Sequence, residues 1–291
     1  MMQAPRGPIL ASEALARRAV TRAELRRDYV GIYPGVWVPR EMQLTARDRA
    51  YAAWLWSRRR GVLAGLSASA VLGAKWIDGD APAELVHSNR RAPPLLTVHT
   101  DTLLPGEVQM VRGLPVTTAA RTAFDLGRRL LTTEGVQRVD ALMNATDLKV
   151  VDIAAVADAH RGARGLQQLN TTLRHVDGGS ESPYESLTRL RLVQAGFPPP
   201  QTQVPVHDAH GNVGARIDMG WEEYLVGADF EGAHHWLDPK QRERDAERYN
   251  FIAEAGWIDI RLTSRTLHLR PETFLARVAA ALISRGCPTT W

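Results

Sequence analysis

The chain has 291 residues, 44% of them apolar and 23% charged, with a formal net charge of +4. That length suits about two domains, and the mixed composition excludes disorder as the default state. The single cysteine, Cys287, excludes an internal disulfide framework, no run approaches the roughly 18 apolar residues that cross a bilayer, and the first residues lack the apolar core of a signal peptide, so a cytoplasmic protein without membrane segments is expected.

Charge is unevenly spread. Lys and Arg exceed Asp and Glu by 7 over residues 1–60, balance them over 61–180, and fall short by 3 over 181–291. Basic charge gathered at one end is the electrostatic footprint of a nucleic-acid contact. In a chain with 33 Arg and 3 Lys, a solvated arginine-rich face gives the same count.

In chain order, the periodicity predicts a helix near Ile9 to Ala19. A second helix opens at Thr21-Arg-Ala-Glu24, where Thr21 can cap and Glu24 can reach back as a capping box. In Tyr29 to Val38, two β-rich runs flank Pro34-Gly35, a hairpin signal. Two short helices and a β-wing over residues 1–60 read as a small winged helix. Arg22, Arg26 and Arg27 are its candidate DNA contacts, and a domain that only packs on the rest is the other reading. A helix from Thr45 to Arg60 ends in Arg58-Arg-Arg60, a run that suits either a phosphate or the negative end of the helix dipole.

Residues 61–177 predict a small α/β and helical region. A helix at Ser67 to Leu72 precedes strands near Glu84 to His87, Leu95 to His99 and Val108 to Val111. Helices follow over Thr118 to Arg129, Thr133 to Ala145, Ile153 to His160 and Gly165 to Arg174. Gly178-Gly-Ser-Glu-Ser-Pro183 marks a boundary. Beyond it, residues 181–291 predict a helix, three strands, a helix, a strand and a last helix, an α/β sandwich large enough for its own core. The expected fold class is therefore α/β (α+β).

The chemistry-bearing residues cluster in that last region. Asp218 and Asp229 lie on strands joined by the short turn at Glu222-Glu-Tyr224, and Glu231 stands two residues beyond Asp229 on the same face. Mg²⁺ takes hard oxygen ligands and is usually held by one or two carboxylates, so Asp218 and Asp229 are candidate ligands for Mg²⁺ or Mn²⁺. A bound ion would remove their repulsion and activate a water for attack on phosphorus. Ion pairs with Arg216, Arg248 or Arg261 are the alternative. His235, beside His234, is a candidate general acid or base. Glu185 falls at the third position of a Ser182-Pro-Tyr-Glu capping box, which accounts for it with or without a role in the site. Arg248 shares a helix face with Asp245 and Arg244, either as a local ion pair or as a further nucleic-acid contact.

Five spaced blocks sharpen this reading. Ser182-Pro-Tyr-Glu-Ser, Arg216-Ile-Asp-Met-Gly-Trp221, Asp229-Phe-Glu-Gly-Ala-His-His-Trp236, Arg244-Asp-Ala-Glu-Arg248 and Gly256-Trp-Ile-Asp-Ile-Arg-Leu-Thr263 together resemble the domain-of-unknown-function-559 family. That group is related to the very-short-patch repair endonucleases of the PD-(D/E)XK superfamily. The resemblance implies a restriction-endonuclease-like α/β/α sandwich with Asp218 and Asp229 as acidic metal ligands and Glu185 as the helix acid. The superfamily lysine falls where this chain has Glu231, and the commoner glutamate-then-aspartate order at 229 and 231 is reversed. Very-short-patch repair enzymes also lack that lysine and use histidine, which makes His235 the substitute.

Upstream, Gly65-Leu-Ser-Ala-Ser-Ala-Val-Leu-Gly73 and Gly113-Leu-Pro-Val-Thr-Thr-Ala-Ala-Arg-Thr-Ala-Phe-Asp125 resemble bacterial AbiEi-type antitoxins and regulators, which pair a winged helix with an α/β domain. The two resemblances imply a metal-dependent DNA endonuclease, or a non-catalytic DNA-binding regulator of antitoxin type carrying a degenerate nuclease domain. Nucleic-acid binding without cleavage or regulation is a third reading. DNA is the expected partner, and a toxin-like protein is a second.

Overall fold

Ile9 and Leu10 pair antiparallel with Trp37 and Val36, which makes them a short strand, β1 (Ile9–Leu10). The first helix therefore starts later than its periodicity suggests, as α1 (Ala11–Ala16). The helix α2 (Arg22–Asp28) opens on the expected reciprocal box: Thr21 Oγ1 accepts the Glu24 N–H at 3.1 Å and Glu24 Oε2 accepts the Thr21 N–H at 2.7 Å. Then β2 (Tyr29–Tyr33) and β3 (Val36–Pro39) form a hairpin whose turn needs a positive φ, supplied by Gly35 at +79°. The sheet order is β1-β3-β2. Ala14, Val20, Leu25 and Tyr29 are buried together beneath the two helices. Two helices flanked by a strand and a hairpin thus make up residues 9–39.

The computed structural model describes residues 5–231, 239–289 and 291. It resolves into two units, Met1–Arg174 and His175–Trp291. In the first, α3 (Ala46–Trp56) and β4 (Val62–Leu63) lead into α4 (Gly65–Leu72). The strands β5 (Ala83–Val86), β6 (Leu96–His99), β7 (Val108–Val111) and β8 (Leu114–Thr117) complete a sheet of order β6-β5-β4-β8-β7. One core joins this sheet to the N-terminal array, with Leu10, Tyr33, Val36, Leu55, Leu63, Leu85 and Val116 in a single buried cluster. Four helices close the unit: α5 (Ala119–Arg129), α6 (Thr132–Ala145), α7 (Val150–Ala159) and α8 (Leu166–Leu173).

The second unit runs α9 (Pro183–Gln194), β9 (Gln201–His207), β10 (Val213–Trp221), a 3-10 turn (Glu222–Tyr224), β11 (Val226–Glu231), α10 (Pro239–Glu254), β12 (Ile258–Thr263), α11 (Ser264–Leu269) and α12 (Pro271–Ser284). The sheet order is β12-β11-β10-β9, antiparallel except for the parallel pair β11 and β12. On one face Met219, Trp221, Ala228, Ile260 and Leu262 pack with Leu187 of α9 and with Phe274 and Val278 of α12. On the other, Ala215 and Ile217 pack with Ile252 of α10 and with Trp257. Helices on both faces of a mixed sheet give three layers.

The apolar side of β10 changes between Ile217 and Met219. Gln203, which the β9 register sets opposite Asp218, has φ +55°. A left-handed residue in a strand breaks the two-residue alternation, and here the break falls at the candidate carboxylate.

Candidate functional site

The β10 and β11 register pairs Met219 with Ala228, Gly220 with Gly227 and Trp221 with Val226, so its next step sets Asp218 opposite Asp229. The odd separation of the two aspartates is absorbed by the 3-10 turn and by Leu225, whose φ is +51°. At this step the carboxylates take over the ladder. Asp229 Oδ1 accepts the Asp218 N–H at 2.8 Å, and Asp218 Oδ2 accepts the Phe230 N–H at 2.8 Å.

Asp229 is only 2% exposed, and its other oxygen meets Arg248 Nη2 of α10 at 2.5 Å. The same Nη2 donates to the Arg216 carbonyl at 2.6 Å. Arg216 itself pairs with Glu181 at 2.9 Å. Glu231 sits further along β11, 3.4 Å from the Tyr249 hydroxyl and 3.3 Å from Arg261 Nη1, with the Arg261 guanidinium lying over the Tyr249 ring. Glu231 is thus engaged with Tyr249 and Arg261 at the α10 and β12 side, and Arg248 is engaged with Asp229.

Glu185 has two attachments. Ser182 Oγ accepts the Glu185 N–H at 3.2 Å and caps α9, but the Glu185 carboxylate reaches one residue beyond the cap. Its Oε2 accepts the Glu181 N–H at 2.8 Å and Gln203 Nε2–H at 3.1 Å. The reciprocal box expected from the sequence is therefore only half formed. Glu185 is 7% exposed, and its negative charge acts on Asp218.

Burial and mutual repulsion govern the ionisation of this group. Desolvation, then the charges of Asp229 and Glu185, raise Asp218 to about 7. Burial raises Asp229 too, with Arg248 pulling against it, and burial is also the main cause of the rise at Glu185. Two opposed carboxylates in one dry site do not both ionise without a compensating cation, and Arg248 supplies one positive charge for the pair. The donor set is all hard oxygen, which suits Mg²⁺ or Mn²⁺, but Asp229 Oδ2 is held by the guanidinium. Among the described residues no group of three His, Cys, Asp or Glu side chains stands in metal-ligating geometry. His235 lies outside the described residues.

Asp259 also belongs here and was not singled out in the sequence. On β12 it pairs with Gly227, burial and the Asp229 charge raise it to about 7, and its Oδ1 is buried without a hydrogen-bond partner. Its only sequence signal is the alternation Asp259, Arg261, Thr263 on the polar side of a strand.

In the N-terminal array, Arg22 and Arg26 are one turn apart on the exposed side of α2, and Arg27 pairs with Asp28 at 2.7 Å. Arg40 is used differently: its guanidinium donates to the Arg27 and Arg26 carbonyls at 2.9 and 3.1 Å and closes the C-terminal end of α2. None of the described helices is long and apolar enough to cross a membrane.

Residues 57–175 match the family model described as the AbiEi antitoxin C-terminal domain. The match spans β4 to α8. Two uncharacterized proteins of Mycobacterium tuberculosis, MT2308 and Rv2248, are each 25% identical over 253 residues, which is 87% of this chain and 92% of theirs. The crystal structure of the RV2827C protein from the same organism is similar at 16% identity and a TM-score of 0.37, over 69% of this chain and 79% of that one.

Proposed function

We propose that the chain is a DNA-binding regulator of the antitoxin type, which docks α2 on duplex DNA through Arg22 and Arg26 and steadies it with the β2–β3 wing. The observation that carries this reading is the exposed arginine pair on the second helix of a winged-helix array, directly upstream of a segment matching the AbiEi antitoxin family. In helix-turn-helix proteins the second helix enters the major groove, and arginine contacts with phosphates supply most of the affinity. A protein toxin is the second partner class that the family match supports, and the cytoplasm is the compartment in which both partners would be met. The test is duplex binding by the full chain across a salt series.

A second reading is favoured by the opposition of Asp218 and Asp229. In it the C-terminal unit is a metal-dependent endonuclease: the two aspartates hold Mg²⁺ or Mn²⁺, Glu185 positions metal or water, and His235 or Glu231 handles the proton. When bound, the ion would offset the carboxylates and lower the pKa of a coordinated water. Arg248 would have to leave Asp229 for the ion to enter. Plasmid nicking with Mg²⁺ or Mn²⁺ by wild type, Asp218→Ala and Asp229→Ala separates the two readings, because the regulator leaves all three equally silent.

A further inference from the structure

The run Arg58-Arg59-Arg60 leaves α3 on a backbone that twice enters the left-handed region, at φ +55° for Arg58 and +62° for Arg59. Each such residue is strained and persists where surrounding structure holds it. Here the amides are fixed: Arg58 donates to the Leu55 carbonyl at 2.9 Å, Arg59 to the Trp54 carbonyl at 3.0 Å, and Gly61 to Ser57 Oγ at 2.9 Å.

This backbone separates the three side chains. Arg59 turns back to Glu13 at 2.5 Å and lies over the Trp54 ring. Arg58 and Arg60 instead line a cavity of about 440 Å³ together with Pro34 of the wing turn and with His87 and Asn89, just beyond β5. Trp56 also lines it and meets the His87 ring edge-on. Arg58 reaches the wing itself, since a Cβ at Gly35 would lie 3.8 Å from its Nη2.

The polar lining is arranged to donate. His87 Nδ1 accepts the Asn89 N–H at 2.9 Å, which leaves Nε2–H as the donor of the neutral ring. Asn89 Oδ1 accepts the Arg91 N–H at 3.1 Å, which leaves its amide group to donate. Among the described residues no carboxylate lines the cavity, and the nearby Glu13 is taken by Arg59. Two guanidinium groups, an imidazole N–H and an amide around one space are the chemistry of a phosphate site.

We infer that this cavity holds a backbone phosphate of duplex DNA beside the wing, as a contact separate from α2. The inference rests on the DNA-binding reading above. Continuity with the wing turn favours a DNA phosphate over a free phosphorylated molecule, and a phosphate held there would set the register of α2 without reading sequence.

The experiment is fluorescence anisotropy with the full chain and a labelled duplex over a salt series, comparing wild type, Arg58→Gln/Arg60→Gln, Arg59→Gln and Arg22→Ala/Arg26→Ala. The first double variant is expected to bind roughly tenfold or more weakly at about 0.1 M salt. Its log Kd against log salt slope should be shallower by about 0.9, one phosphate contact's worth. Arg59→Gln should keep the wild-type slope. If Arg58→Gln/Arg60→Gln keeps the wild-type affinity and slope while Arg22→Ala/Arg26→Ala loses both, the cavity assignment fails and the α2 contact stands. If wild type binds no duplex at any salt, both fail together. A deoxynucleoside monophosphate that binds wild type, is lost in Arg58→Gln/Arg60→Gln and is not displaced by duplex would make the cavity a small-molecule site instead.

Discussion

Asp218 and Asp229 face each other across β10 and β11, and each carboxylate accepts a backbone N–H from the opposite strand, so the side chains finish a ladder that the backbone leaves at Met219 and Ala228. The pair is structural before it is anything else. It pins the strands while concentrating negative charge in a buried place, and the consequences of that charge can be measured.

The first is a pH dependence. Asp218 is raised to about 7 by burial and by its acidic neighbours, whereas in the unfolded chain it titrates near 3.8. Between those values the folded state holds more protons than the unfolded state, so stability falls as pH rises. The favourable contribution is complete below the unfolded pKa and is gone above about 7. Metal-free protein is expected to lose on the order of 2 kcal/mol between pH 5 and 8 from this source. Asp218→Asn should lessen the fall of the melting temperature over that window, with Asp259, also raised to about 7, supplying the remainder, and an unchanged pH profile would remove Asp218 as a cause.

Arg248 is the charge partner of the Asp229 carboxylate, which is 2% exposed. Removing one member of a buried pair strands the other, at a cost of about 3 kcal/mol. Arg248→Ala should therefore melt well below wild type. Arg248→Lys should recover part of the loss, because one nitrogen, Nη2, makes both the Asp229 and the Arg216 carbonyl bonds, and a single ammonium on a shorter side chain can replace it in part. Millimolar Mg²⁺ should raise the melting temperature of Arg248→Ala more than that of wild type if the aspartates can hold a cation. Equal shifts would count against the metal reading.

Gly65 stands at φ +51° where α4 begins, and a Cβ there would overlap the Glu84 carboxylate. That carboxylate accepts the Leu66 N–H at 2.9 Å and pairs with His99 at 2.7 Å. Gly65→Ala should cost about 2 kcal/mol, since both the left-handed backbone and the Glu84 bridge are disturbed. Thermal unfolding of Gly65→Ala beside Glu84→Gln tests it: a Gly65→Ala melt equal to wild type would mean that the bridge moves freely.

Arg121 is 1% exposed and joins Asp125 at 2.9 Å, Glu107 at 2.5 Å and the Thr102 carbonyl at 2.9 Å. Arg121→Ala would remove the guanidinium that joins Asp125 to Glu107 while Arg128 still holds Asp125 and His160 still meets Glu107, and the expected loss is about 3 kcal/mol. Urea titration of the full chain reads it directly, and a loss below about 1 kcal/mol would show that water replaces the guanidinium.

Features encoded within a few residues were legible in the sequence, and those made by distant strands were not. Thr21 and Glu24 lie three apart, so their box reads directly, as does the Pro34-Gly35 turn. The strand at Ile9 and Leu10 depends on Trp37 and Val36, which local periodicity cannot see. The strand at Val62 and Leu63 is too short to show a period, and β8 hides behind Pro115. Asp218 and Asp229 stood out as charges in apolar strands. The cation on Asp229 comes from α10: the sequence offers Arg248 as one of three arginines able to pair with the aspartates, and only the fold selects it. At Glu185 the sequence reads a cap with or without a role in the site, because the Gln203 and Asp218 side of it arrives from strands nearly twenty or more residues away.

The proposed role of α2 as the DNA-contacting helix is tested most directly by the salt dependence of duplex binding by wild type and Arg22→Ala/Arg26→Ala. Wild type should bind with a steep negative slope of log affinity on log salt, and the double variant should bind more weakly with a slope shallower by about 1.8. A wild-type protein whose duplex affinity is absent or flat in salt, or a double variant indistinguishable from it, would contradict the account.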